Sequence, residues 1–318
     1  MLYPPRAADD DGAMRLFPKS RKSRLTAVVL ALAYTLLMLF GGCADFFILY
    51  PTTERFSVPG TTRRDVPVPG ASPVEVWTAR SIGARLGEPE AYVLEFVGNA
   101  SRAEGMTEMV AEEWRTRPVE VWAVNYPGYG GSPGPARLRA IGPAALASYD
   151  ALKQHAGGKP IFVAGQSLGT AAALHVAAHR PVAGAVLLSP PPLRDMILKR
   201  FGWWNLWLVA GPVAMQVPED LNSVRNARKV KAPAVFVATG QDTVVPLKYQ
   251  AKVSDAYAGE KRYVRLPESQ HNAILNGPSI EEYQAALDWL WSVAVTGKDA
   301  KEEHSEDEKQ GSSLRPQF

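Results

Sequence analysis

Gly165-Gln166-Ser167-Leu168-Gly169 is the stretch that decides the fold. It reads G-x-S-x-G, the pattern of a serine set on a strained turn between a buried strand and a helix, with its hydroxyl raised clear of the sheet. Five residues alone say little, so the flanks decide. Pro160-Ile161-Phe162-Val163-Ala164 is a short apolar run rich in β-formers, as a buried parallel strand should be. Thr170 to His179 is rich in alanine, lacks Gly and Pro, and predicts a helix. The two glycines have a steric role, because strand and helix crowd together at such a turn. Strand, turn and helix mark Ser167 as a candidate nucleophile; a glycine-flanked loop serine is the bland alternative.

The chain has 318 residues, room for one large α/β domain with extensions and ample length to bury a core. Its 46% hydrophobic and 21% charged content fits a globular enzyme and excludes a disordered or fibrous chain. The formal net charge of +3 is small and comes largely from one basic cluster near the N-terminus, so nothing argues for nucleic-acid binding. Cys43 is the single cysteine, which excludes an intrachain disulfide. No internal repeat is evident.

From Leu25 to Ala44 the sequence is uncharged and mostly Leu, Ala, Val and aromatic, long enough as a helix to cross a hydrocarbon core of about 30 Å. Asp45 interrupts, then Phe46-Phe47-Ile48-Leu49-Tyr50 resumes the apolar run. Arg15, Lys19, Arg21, Lys22 and Arg24 precede the stretch, which predicts a single-pass anchor with the N-terminus cytoplasmic and the C-terminal domain on the far side, periplasmic in a Gram-negative cell. Other readings stay open: a lipoprotein signal ending in Leu39-Phe40-Gly41-Gly42-Cys43, a cleaved signal peptide, or a buried core helix. Residues 1–24, with Asp9-Asp10-Asp11 and the basic cluster, read as a disordered tail. The organisation expected is therefore tail 1–24, anchor or signal segment 25–50, one α/β domain 51–296 and charged disordered tail 297–318.

Within the domain, strands and helices alternate. Val74–Ala79, Ala91–Val97, Val119–Asn125, Val182–Leu188, Ala234–Ala238 and Arg262–Leu266 read as strands beside the one before Ser167. Helices are predicted over Gly105–Arg115, Ala144–His155, Leu247–Tyr257 and Ile280–Val295, and residues 51–70 hold at most one edge strand. Residues 193–217 break the rhythm with Trp203, Trp204 and Trp207 among aliphatics, and read as a small helical cap; an ordinary crossover helix is the alternative. Such alternation predicts a mostly parallel sheet with helices on both faces, and ligands beyond the carboxyl ends of its strands, where Ser167 would sit.

A serine hydroxyl needs a base to take its proton, and the base needs an orienting acid. In folds of this type the order is serine, acid, histidine. Of His155, His175, His179, His271 and His304, only His271 follows the last strand in a loop; His304 lies in the acidic tail. Asp242, in Thr239-Gly240-Gln241-Asp242 after the preceding strand, is the candidate acid, with a turn-capping role as the alternative. Asp220 and Asp255 are further acids, but neither directly follows a strand. His175 and His179 are four apart on one helix yet lack the glutamate and third ligand of a metal site, so packing or solvent-facing roles are the better reading. For the oxyanion, backbone N–H donors are expected from Leu168, after the nucleophile, and from Asn99 in Gly98-Asn99-Ala100.

With these residues placed, the chain resembles an α/β-hydrolase across roughly residues 74–295, and most resembles the membrane-anchored bud-emergence-type branch related to depalmitoylating hydrolases. The resemblance rests on Phe96-Val97-Gly98-Asn99-Ala100, Asn125-Tyr126-Pro127-Gly128-Tyr129-Gly130-Gly131-Ser132, the elbow, Gly240-Gln241-Asp242, Gln270-His271-Asn272, and Leu49-Tyr50-Pro51 after the apolar stretch. It implies an α/β-hydrolase fold and hydrolysis of esters or thioesters, with no metal and no organic cofactor. The chain departs from the branch at Val97, where a histidine is usual, at Pro127, where an arginine is common, and at Ala273, where an aspartate is frequent. The expected partners are a membrane and a small-molecule or lipid-like acyl substrate, the cap's tryptophans favouring an apolar group. A serine peptidase or acyltransferase would use the same triad, and a non-catalytic membrane-bound binding module is the competing class.

Overall fold

The computed structural model describes residues 21–40, 42–54, 56–203, 207–271 and 278–296. Most of both expected tails, and Trp204, Asn272, Ala273 and His304, lie outside the described residues.

Two helices precede the sheet, α1 (Arg21–Phe40) and α2 (Cys43–Ile48). The transmembrane helix expected over 25–44 does not form as such: among the described residues no helix is long and apolar enough to cross a membrane. α1 opens with Arg21, Lys22 and Arg24. The uncharged remainder, residues 25–40, rises only about 24 Å, short of a core of about 30 Å. The chain then breaks at Gly42, whose φ of 66° is left-handed. Cys43 and Ala44, the end of the expected span, belong instead to α2, and Ala44 is buried against the domain.

The sheet comprises β1 (Thr62–Val66), β2 (Val74–Arg80), β3 (Ala91–Phe96), β4 (Val119–Val124), β5 (Ile161–Gln166), β6 (Gly184–Leu188), β7 (Ala234–Thr239) and β8 (Lys261–Leu266). Its spatial order is β1-β2-β4-β3-β5-β6-β7-β8. β1 pairs antiparallel with β2 and β2 antiparallel with β4; every pair from β4 across to β8 is parallel. The expected mostly parallel sheet is thus present, with an antiparallel edge. β3 and β4 are buried at every position because helices cover both faces, which is why their sequences run apolar with little alternation.

α3 (Ala103–Glu113), α4 (Leu138–Ala156) and α5 (Leu168–His179) follow β3, β4 and β5. On one face of the sheet Leu94, Phe96, Leu152 and Leu174 share a core. On the other, Val93, Trp114, Phe162, Leu287 and Leu290 share a second. α4 starts earlier than the sequence suggests. The helix expected from Ala144 begins at Leu138 and carries Pro143 inside it. Two things support the extra turns: Leu138 and Ile141 are buried, and the Leu138 N–H donates to Asp45 Oδ1 at 2.7 Å.

Between β6 and β7, residues 193–217 contain α6 (Leu193–Met196), a π-helical turn (Ile197–Phe201) and α7 (Ala210–Gln216). This segment touches the loop after β7, where Arg200 Nη1 donates to the Val244 carbonyl at 2.9 Å. It also meets α1, through a hydrogen bond from the Tyr34 hydroxyl to the Leu208 carbonyl. Trp203 and Trp207 are 69% and 51% exposed, so both rings present most of their surface outward rather than to an enclosed pocket. α8 (Ser223–Ala227), α9 (Leu247–Ala256) and α10 (Pro278–Trp291), the last running into a π-helical turn (Ser292–Thr296), follow among the described residues.

Candidate active site

β5 ends at Gln166 and α5 begins at Leu168, leaving Ser167 alone between them. Its φ of 50° and ψ of −120° place a non-glycine residue in a sparsely populated region, at a cost of about 1–3 kcal/mol that the surroundings must enforce. They do so with hydrogen bonds. The Ser167 N–H donates to the Leu188 carbonyl of β6 at 2.9 Å, and the Ser167 carbonyl accepts from Thr170 N and Oγ1 at 3.0 and 2.7 Å. The flanking glycines permit the close approach. A Cβ on Gly165 would lie 2.6 Å from the Gly169 carbonyl carbon, and one on Gly169 would lie 1.8 Å from the Phe96 carbonyl oxygen. The crowding inferred from the motif is therefore that of β5 against α5, and of α5 against the end of β3.

The structure brings Ser167, His271 and Asp242 together. His271 Nε2 lies 3.0 Å from Ser167 Oγ, and His271 Nδ1 lies 2.7 Å from Asp242 Oδ2. The His271 side chain is 16% exposed and that of Asp242 is sealed at 0%, so the pair grades from wet to dry away from the serine. The loops that carry them are tied to each other: Gly240 N donates to the Leu266 carbonyl and Gln241 N to the Ser269 carbonyl. A Cβ on Gly240 would stand 2.3 Å from the Pro267 carbonyl, so this contact between loops requires glycine.

Asp242 is saturated with donors. Oδ1 accepts from Val244 N and Val245 N at 2.8 and 2.7 Å, and Oδ2 accepts from Thr239 Oγ1 at 2.9 Å. Burial pushes this carboxyl up, but the bonds from His271, Val245 and Thr239 outweigh it and hold Asp242 below the usual carboxylate range. Gln250 of α9 locks the loop by donating to the Thr239 and Val245 carbonyls and accepting the Thr239 N–H. A turn-capping Asp and an orienting Asp are here the same residue, since one oxygen serves each task.

Of the two expected oxyanion donors, Leu168 directly follows the serine and Asn99 stands in the loop after β3. Neither backbone N–H has a hydrogen-bond acceptor among the described residues. The loop after β3 lies against the elbow: a Cβ on Gly98 would be 3.4 Å from the Gln166 carbonyl, and one on Gly169 2.9 Å from that of Val97. Behind this loop stand two tyrosines from the glycine-rich segment after β4. The Tyr126 hydroxyl donates to the Val97 carbonyl at 3.0 Å and that of Tyr129 to Asn99 Oδ1 at 2.8 Å. They buttress the loop in which Val97 stands where the resemblance leads one to expect histidine. That segment is itself held by a buried carboxylate. Glu75 Oε2 accepts from Gly131 N at 2.7 Å and Asn125 Nδ2 at 2.8 Å.

The remaining candidates lie elsewhere. Asp220 sits in a short helical turn against Gly142 of α4, and Asp255 lies within α9. His155 packs beside Tyr92 and Trp122. His175 and His179 pack with ring centroids 4.5 Å apart and planes tilted by 50° on α5. His175 is buried with neither ring nitrogen hydrogen-bonded, and burial pushes its imidazole below the usual range. Among the described residues no group of three His, Cys, Asp or Glu could hold a metal ion. Sequence reasoning missed Thr239, Gln250, Tyr126 and Tyr129 as supports. Only the two tyrosines carried a signal, as parts of a glycine-rich stretch too unusual for a simple turn.

Comparison with known proteins agrees with this fold. Residues 102–300 match the family described as "Alpha/beta hydrolase family". Two uncharacterized proteins of Mycobacterium tuberculosis, from strains CDC 1551 / Oshkosh and H37Rv, are 29% identical over 187 residues, 57% of this chain and 63% of theirs. Among solved structures, an esterase of Pyrococcus furiosus superposes with a TM-score of 0.60 at 15% identity, covering 78% of this chain and 98% of the esterase. An acetyl xylan esterase from Paenibacillus sp. R4 gives 0.57 at 13% identity, covering 81% and 94%. At such identities the likeness is one of fold.

Proposed function

The chain belongs to the alpha/beta hydrolase family, and from that premise we propose that it is a membrane-attached serine hydrolase cleaving carboxylic ester or thioester bonds through an acyl-enzyme on Ser167. The observation that carries the reading is the unbroken line of contacts from Asp242 through His271 to Ser167, at 2.7 and 3.0 Å. In this reading His271 Nε2 takes the hydroxyl proton as Ser167 Oγ attacks the acyl carbon. The Asn99 and Leu168 amides hold the developing oxyanion. The carbonyl re-forms, His271 gives the proton to the departing alcohol or thiol, and Ser167 is left acylated. Water, deprotonated by the same imidazole, then releases the acid. Asp242 keeps Nδ1 protonated and stabilises the imidazolium. Because its carboxyl lies below the usual range, it stays charged throughout.

The substrate in this reading is a small-molecule or lipid-like acyl compound. Esterases among the structural relatives support ester chemistry. Exposed Leu25, Val28, Val29, Leu30, Leu32 and Leu36 on α1, behind its basic first turn, support attachment to a membrane. The same apolar helix supports placing the chain in the bud-emergence-type branch. The test is turnover over a graded acyl-chain series of esters and thioesters. His271→Ala and Asp242→Asn should each lower kcat by about 10³- to 10⁴-fold, while Asp220→Asn leaves it unchanged. A silent Asp242→Asn beside a damaging Asp220→Asn would overturn the assignment of the acid.

A further inference from the structure

The chain that joins α2 to the sheet runs directly behind the oxyanion loop, and one side chain binds it there. Asn99 Nδ2 donates to the Ile48 carbonyl at 2.6 Å, while Asn99 Oδ1 accepts the Tyr50 N–H at 3.0 Å. A carboxamide thereby takes the place of a neighbouring strand, bonding the carbonyl of one residue and the N–H of the residue two further on. Tyr129 donates its hydroxyl to the same Oδ1 at 2.8 Å. Burial pushes that phenol well up, so it remains a donor at any working pH. Two residues beyond Tyr50, the Thr52 carbonyl accepts the Gly130 N–H at 2.8 Å, so residues 48–52 are gripped between the oxyanion loop and the glycine-rich loop. Ala100 follows with a φ of 58°, a left-handed conformation that costs an alanine about 1–2 kcal/mol and needs outside support.

We propose that the Asn99 side chain is a positioning residue that fixes the oxyanion-binding amide of its own backbone by clasping the Ile48–Tyr50 segment, so that the N-terminal connection forms part of the catalytic apparatus. This rests on the serine-hydrolase reading above. Donation and acceptance are both required, which only an amide of this length supplies: an aspartate at 99 would face the Ile48 carbonyl with a charge and no proton. Tyr129 sets the carboxamide's orientation by occupying its oxygen. The clasp therefore acts on the transition state, where the amide's placement matters, and little on ground-state binding.

The experiment compares wild type with Asn99→Ala, Asn99→Asp and Tyr129→Phe in the full chain. It reads kcat and KM on one ester, and the Ki of an alkyl boronic acid whose tetrahedral adduct places an oxygen where the oxyanion forms. The expected result is a fall in kcat of about 10- to 100-fold for either Asn99 variant and a smaller fall for Tyr129→Phe, with KM nearly unchanged. Losing one oxyanion donor outright costs about 10²- to 10³-fold. The boronic-acid Ki should rise in proportion to the loss of kcat/KM. A purely structural role would instead lower the melting temperature without that proportionality. Unchanged kcat in the variants, or a changed kcat with unchanged boronic-acid affinity, overturns the clasp. Tyr129→Phe removes a single oxygen, which leaves a folded variant to measure even if Asn99→Ala unfolds. If wild type itself shows no turnover that depends on Ser167, the hydrolase reading fails and this inference falls with it. If wild type turns over and the variants match it, the clasp alone fails.

Discussion

Asp242 illustrates how one side chain can be held by many. Four hydrogen bonds, from Thr239, Val244, Val245 and Gln250, reach its carboxylate besides that from His271. Since its folded pKa lies below the unfolded value, its stabilisation is fully present above the ordinary carboxyl range of about 3.9 and is lost as pH falls through the folded value. The stability gap between wild type and Asp242→Asn should accordingly shrink as the solution is taken into the acid range below about pH 4, as read by urea unfolding at stepped pH. A gap that stays constant to pH 3 contradicts the bonding described. Ser167, Asp242 and His271 were legible in the sequence because each follows a strand and their order along the chain narrows the choice. Asn99's side-chain role was not. Its partners Tyr129 and Ile48 are 30 and 51 residues away, and only the folded chain brings them within reach.

At the scale of elements, parallel strands were readable because burial on both faces writes itself as a continuous apolar run. Helix starts were less so when the cap comes from a distance. Asp45 looked like an interruption in an apolar segment, yet its carboxylate caps α4, accepting the N–H of Leu138, 93 residues later. The apolar pattern of 25–44 likewise showed hydrophobicity but not where the helix stops. Gly42 and the burial of Ala44 against the domain end α1 sooner. Asp45→Ala should destabilise the domain by about 1 kcal/mol, the usual cost of a lost N-terminal cap. Chemical unfolding measures this, and Asp45→Asn, which keeps an acceptor, should recover most of it. An unchanged midpoint in Asp45→Ala would show that the burial of Leu138 and Ile141 suffices to hold the start of α4.

For the whole molecule, the sheet places its strand ends, the elbow and the loop-borne His271 on one side, while α1 leaves the domain with its apolar residues exposed. Arg15, Lys19, Arg21, Lys22 and Arg24 all precede that apolar stretch, and the first basic residue after it is Arg55. From that charge asymmetry we propose that the hydrolase domain lies on the non-cytoplasmic face; α1 itself is too short to cross, so the proposal rests on the asymmetry alone. The protein should stay with membranes through a high-salt, high-pH wash, and external protease on spheroplasts should digest the domain. Protection until lysis would contradict the orientation. Cys43→Ser should change neither size nor location if α1 is the attachment, whereas if Cys43 carries a lipid the substitution would change both. The central claim, that Ser167 is an activated nucleophile, has a more direct test. A fluorophosphonate forms a covalent bond only with a serine whose proton a neighbouring base can take. Incubating wild type and Ser167→Ala with such a probe and mapping the adduct by mass spectrometry should find one modification, on Ser167, in wild type and none in the variant, with both proteins melting alike. Equal labelling of the two, or no labelling of folded wild type, would contradict the account.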